Sequence, residues 1–144
     1  MTLPTKDSTI LLAFDFGTKR IGVAIGQRVT KVARPLITLS AKNGVPHWDK
    51  LTQLVKHWQP QEFVVGIPLN MDGSEQPLTH AARDFARMLH ERYKLPVHEV
   101  DERLTTVDAR ERLFQEGGYK ALQEGQVDSV AAQLILQTWL DMLA

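Results

Sequence analysis

The sequence predicts an α/β sandwich built on a mixed five-stranded sheet, three strands in an antiparallel meander and two in parallel, flanked by helices. Three observations predict it. Short apolar runs separated by turn signals fill residues 9–39, helical and strand periodicities then alternate through residue 100, and helical spacing closes the chain. Its 144 residues, 43% hydrophobic and 24% charged, suit one domain over 1–144, with residues 1–8 expected as a flexible tail. That apolar content excludes a disordered chain.

Residues 9–16, TILLAFDF, read as a buried strand that carries Asp15 near its end and runs into a turn at Gly17-Thr18-Lys19-Arg20. In the next strand, IGVAIG over 21–26, Gly22, Ala24 and Gly26 leave one face nearly bare, which invites a close approach. Thr30 to Leu39 forms the third strand. Pro35 inside it cannot donate a ladder hydrogen bond, so this strand is expected at an edge or with a bulge.

After the Asn43-Gly44 turn signal the period becomes helical. Trp48, Leu51, Leu54, Val55 and Trp58 share a face, and Pro60 ends the pattern. Glu62 to Ile67 is an apolar strand, and a loop over 68–76 leads to Pro77, placed for the first turn of a helix reaching about Tyr93. Pro96 to Val100 is the last strand. Thr105 and Asp108 have capping-box spacing for a helix ending near Gly117-Gly118, and a final helix starts near Val127 and continues through Leu143.

The absence of cysteine excludes a disulfide scaffold, a thiolate metal site and a thiol nucleophile. No apolar run approaches the ~20 residues of a membrane span, and the opening MTLPTKDSTI lacks the plan of a signal peptide, so a cytoplasmic protein without membrane partners is expected. Seventeen basic and seventeen acidic side chains cancel, but unevenly: residues 1–44 hold seven basic and two acidic, residues 97–144 four and nine. A basic end suits phosphates and an acidic end suits a cation.

Three acids stand out. Asp15 lies in an apolar strand, Glu102 just beyond a parallel strand where open sheets form ligand crevices, and Asp128 in the first turn of the last helix. Each has an ordinary alternative: a turn cap for Asp15, a loop pairing with Arg103 or Arg110 for Glu102, a helix-dipole contact for Asp128. The topology nevertheless brings all three to one edge of the sheet. Converging carboxylates with no other ligand type suit Mg²⁺ or Mn²⁺, one or two ions, and hence phosphodiester hydrolysis.

Four motifs sharpen this reading. Asp15-Phe16-Gly17-Thr18-Lys19-Arg20-Ile21-Gly22-Val23-Ala24, Gly66-Ile67-Pro68-Leu69-Asn70-Met71-Asp72-Gly73, Asp101-Glu102-Arg103-Leu104-Thr105-Thr106 and Asp128-Ser129-Val130-Ala131-Ala132 closely resemble the RuvX (YqgF) family, in order and at family-like spacing. The resemblance implies an RNase H-like fold and a cytoplasmic nuclease that matures the 5′ end of pre-16S ribosomal RNA, with Holliday junction resolution as the alternative. It also implies that Asp15, Glu102 and Asp128 bind metal. Related RuvC resolvases carry their second acid at the end of the fourth strand, where this chain has Gly66-Ile67-Pro68, so Glu102 must reach over from the neighbouring strand.

Lys19, Arg20, Asn70, Arg103 and Arg110 are the candidate substrate contacts, and Arg28, Lys31 and Arg34 extend a basic strip along the hairpin. The five histidines show no metal-ligand pairing, and Trp48 and Trp58 read as core. Expected partners are structured RNA, ribosomal particles or branched DNA, for a monomer or weak dimer. Two other readings compete with it, and length decides against the second. A non-catalytic factor would grip rRNA through the basic hairpin. An ATPase of the actin and hexokinase type shares the Asp-Phe-Gly-Thr loop but closes two domains around its nucleotide, and 144 residues supply one.

Overall fold

A computed structural model describes residues 9–104 and 127–143. The chain order is β1 (Ile10–Asp15), β2 (Arg20–Gln27), β3 (Val32–Lys42), β4 (Val45–Pro46), α1 (Trp48–Trp58), β5 (Glu62–Ile67), α2 (Pro77–Tyr93), β6 (Val97–Asp101), a 3₁₀ turn (Glu102–Leu104) and α3 (Val127–Asp141). The helix expected from Thr105 to Gly117-Gly118, the tail over 1–8 and Arg110 lie outside the described residues.

The sheet has the order β4-β3-β2-β1-β5-β6, antiparallel from β4 to β1 and parallel from β1 to β6. It therefore holds six strands where five were expected. The extra strand follows from the Asn43-Gly44 signal: both residues take positive φ, 53° and 81°, the geometry of a two-residue hairpin turn. The chain folds back and pairs Val45 and Pro46 with Lys42 and Ala41 before α1 begins. Two residues are too short to show as a strand in sequence. β3 is also displaced, running from Val32 to Lys42, because Lys31 at φ 53° belongs to the preceding turn.

Pro35 has the expected consequence. Val23 pairs with Ile37 and Ala24 with Pro35, leaving Leu36 as a bulge. The outer edge of β3 is otherwise closed by α3: Ala33 N–H donates to Gln137 Oε1 (3.1 Å), Gln133 Nε2 donates to Ala33 O (2.9 Å) and Gln137 Nε2 to Lys31 O (2.8 Å). These two glutamines occupy buried positions on α3 because they pair backbone groups that β4 is too short to reach.

Strand alternation splits the core between two faces. Leu12, Phe14, Ile21, Val23, Phe63 and Val65 pack under α1 and α2, with Phe85 edge-on to Phe14 at 5.4 Å. Leu11, Ala13, Ala24, Val64 and Val100 pack under α3. The same alternation sends Asp15, Gly22 and Gly66 to the α3 face. Asp15 pairs directly with Gly22, and Gly66 follows Val65, the parallel partner of Phe14. The small residues of β2 are explained here: a methyl at Gly22 would overlap the Asp128 carbonyl, and one at Gly26 would lie 2.9 Å from Leu136 Cδ2. Helix α3 crosses the sheet that closely, and only bare Cα atoms admit it.

Candidate active site beside the central strand

Asp15 sits half-buried at the end of β1, where its neighbours on both sides lack side chains. Those two gaps are filled by the backbone of Asp128 over Gly22 and by the carboxylate of Glu102 over Gly66; a methyl on Gly66 would stand 2.7 Å from Glu102 Oε1. Parity explains the second approach. Val100 faces α3, so Glu102 two residues later falls on the same face, and the 3₁₀ turn folds it back across β5 toward Asp15. The structure thus brings Asp15, Glu102 and Asp128 into one neighbourhood from three elements.

The electrostatics bear the mark of that gathering. Burial, followed by the charges of Glu102 and Asp128, pushes the Asp15 carboxyl from 3.8 up to about 7. Glu102 is also raised, chiefly by burial, while its hydrogen bond from Asp15 works the other way. The hydrogen bond between the two raises Asp15 and lowers Glu102, while burial raises both. Asp128 is turned to Arg20, with Nε 3.1 Å from Oδ2. Among the described residues no three carboxylate, imidazole or thiol side chains stand in a closed ligand set. The donor chemistry nonetheless fits a hard cation: the site offers oxygen alone, and it gathers buried carboxyls whose mutual repulsion a divalent ion would offset.

The other candidate residues divide. Lys19 is exposed in the turn after Asp15, and that turn is fastened to the β3–β4 hairpin by Ala41 N–H to Lys19 O (2.8 Å) and Gly44 N–H to Thr18 O (2.9 Å). Asn70 Nδ2 donates to Ser74 Oγ (2.9 Å) within a loop closed on itself by Asp72. Arg103 does not pair with Glu102. Its guanidinium grips Asp101, with Nη2 2.7 Å from Oδ2, and Nη1 reaches Met71 O at 3.4 Å, so it braces the loop at the site's rim. Of the basic strip, Arg28 is engaged with Glu62 at 2.7 Å and Lys31 Nζ donates to Leu143 O, which ties both to the fold. Trp48 stacks against Phe85, as a core residue does.

Gly66 carries a role the sequence signalled only faintly. An isolated glycine inside EFVVGI marks a close approach, but nothing in the strand says which group approaches. Gln133 and Gln137 were likewise invisible within the apolar pattern of α3.

The family model described as RuvX, Holliday junction resolvase, matches residues 9–142. This chain belongs to the RuvX family. A relative from Escherichia coli O7:K1 (strain IAI39), named "Putative pre-16S rRNA nuclease", is 55% identical over 134 residues, 93% of this chain and 97% of its own. Relatives of the same name from Shigella boydii serotype 18 and Escherichia fergusonii match equally, at 55% over 134 residues. Among solved structures, T. thermophilus RuvC in complex with a Holliday junction substrate superposes with a TM-score of 0.60 at 13% identity, covering 90% of this chain and 91% of that one. The fowlpox virus Holliday junction resolvase gives 0.58 at 10% identity, covering 94% and 100%. These likenesses establish the RNase H-like, RuvC-type fold of this RuvX chain. No helix among the described residues is long and apolar enough to cross a membrane.

Proposed function

We propose that this RuvX chain is a metal-dependent nuclease that hydrolyses RNA phosphodiester bonds and processes the 5′ end of pre-16S rRNA in the cytoplasm. The observation that carries the reading is the meeting of Asp15, Glu102 and Asp128 around two glycines, where burial and the neighbouring carboxylates raise the Asp15 carboxyl. Names borne by relatives 55% identical over nearly their whole length supply the substrate.

Asp15, Glu102 and Asp128 would hold Mg²⁺ or Mn²⁺, one ion or two. When bound, such an ion lowers the pKa of water and stabilises charge on the leaving oxygen. The chain's own residues do the rest. Asp15 would ligate as the carboxylate, and the α3 N-terminus fixes the Asp128 backbone against Gly22. Lys19, Arg20 and Asn70 meet the phosphates on either side, and Arg110 is assigned the same task. Arg103 holds the Asn70 loop in place. The working form is a monomer or weak dimer acting on structured RNA, naked or within ribosomal particles.

Purified protein is expected to cut a structured 16S precursor with Mg²⁺ or Mn²⁺ and not with EDTA, and Asp15→Asn to abolish cutting while retaining the fold. Equal cleavage by Asp15→Asn would refute the assignment. The description of the RuvX family as Holliday junction resolvases favours branched DNA as a second substrate, so a four-way junction belongs in the same assay. Cleavage of the junction alone would replace RNA by DNA in this proposal.

A further inference from the structure

Gly66 stands level with Asp15 on the adjacent strand and faces α3. A methyl there would lie 2.7 Å from Glu102 Oε1 and 3.0 Å from Ile135 Cγ1, and would overlap Ile135 Cδ1. The volume that a side chain at 66 would take is the volume Glu102 crosses on its way from β6, over β5, to Asp15. We infer that Gly66 is the positioning residue that decides which strand supplies the site's second carboxylate: its bare Cα lets Glu102 reach in, and any side chain there shuts Glu102 out.

The physics favours a selective effect. Glu102 Oε1 is the far end of a flexible chain, so it yields to a methyl by swinging into solvent, which costs the fold little and removes a donor from the site. Ile135 likewise yields at its tip. Position 66 is also the natural origin for a replacement, because a carboxylate grown from it begins where the Glu102 carboxylate now ends.

This inference rests on the metal-binding reading above and deepens it. Mn²⁺ affinity of the full chain, measured by calorimetry without substrate, is the readout, with thermal denaturation beside it. Gly66→Ala is expected to weaken Mn²⁺ binding by about 10- to 100-fold, the usual loss when a residue that positions a ligand is altered. Ile135→Ala removes both isoleucine atoms near position 66 and is expected to bind Mn²⁺ as the unaltered protein does. The double variant Gly66→Ala/Ile135→Ala should unfold at the temperature of Ile135→Ala yet still bind Mn²⁺ weakly. In the Ile135→Ala background, adding Gly66→Asp to Glu102→Gln should regain at least a tenth of the lost affinity.

Two results overturn the inference: Mn²⁺ binding by Gly66→Ala at the unaltered affinity, or recovery of binding in the double variant, which would make Gly66 a matter of packing alone. Should Gly66→Ala fail to fold, the double variant and the relocated carboxylate decide. If Asp15→Asn and Glu102→Gln bind Mn²⁺ undiminished, the metal reading itself fails, a result distinct from a failure confined to Gly66.

Discussion

Arg20 Nε lies 3.1 Å from Asp128 Oδ2, which ties the turn after β1 to the first turn of α3 and occupies one carboxylate of the site with an internal cation. An exposed pair of this kind is worth about 0.2–1 kcal/mol. Arg20→Gln releases Asp128, so Mn²⁺ affinity is expected to rise about 1.4- to fivefold on that energy. Cleavage is expected to fall in the same variant, because the proposed function also places Arg20 on the substrate phosphate. A fall in both, read by titration and by single-turnover cleavage, would contradict the competition between Arg20 and the ion.

The raised Asp15 carboxyl makes the ion-free protein sensitive to pH in a defined direction. Its folded value is about 7 against an ordinary 3.8, so the stability is fully present below about 3.8 and is lost as pH rises through 7. Asp15→Asn removes the liability. In EDTA at pH 8 that variant is expected to exceed the unaltered protein by about 2–4 kcal/mol in urea denaturation, with the difference closing toward pH 4. Mg²⁺ should narrow the gap at pH 8. Parallel stability profiles for the two proteins from pH 4 to 8 would argue against it.

At the opposite end of the sheet Glu62 shows the reverse behaviour. Arg28 holds it through two contacts of 2.7 Å, and His98 Nε2 lies 2.9 Å from Oε1. The hydrogen bond from Arg28, ahead of that from His98, lowers the Glu62 carboxyl below its ordinary 4.5 despite burial. Its contribution is present above 4.5 and is lost as pH falls through the lowered value. Glu62→Gln is expected to cost about 1–3 kcal/mol at pH 7. Acid denaturation followed by circular dichroism should show a shallower slope below pH 4.5, and an unchanged slope would show that Glu62 does not drive it.

Gln137 serves β3 rather than the reaction. Gln137→Ala leaves Ala33 N–H and Lys31 O without their side-chain partner, and a loss of about 1–3 kcal/mol is expected. Amide exchange at Ala33 should accelerate while Mn²⁺ binding stays unchanged. Unaltered exchange there would show that this edge is closed by other means.

Much of this molecule was legible along the chain because the decisive information is local. Pro77 and the apolar spacing of α2 give that helix its bounds, EFVVGI gives a buried strand, and Pro35 demands a bulge. β4 escaped notice because two residues carry no period, although Asn43-Gly44 announced the hairpin that makes it.

Sequence by itself determined that three acids stand in unusual places and that β2 offers a bare face. Only the tertiary structure decided what those features do together: that Glu102 passes over Gly66, that Asp128 rests against Gly22, and that Arg103 turns to Asp101. The reason is physical. A residue's period and propensity are set by its near neighbours, whereas the cost of a buried charge depends on which distant groups the folded sheet sets beside it.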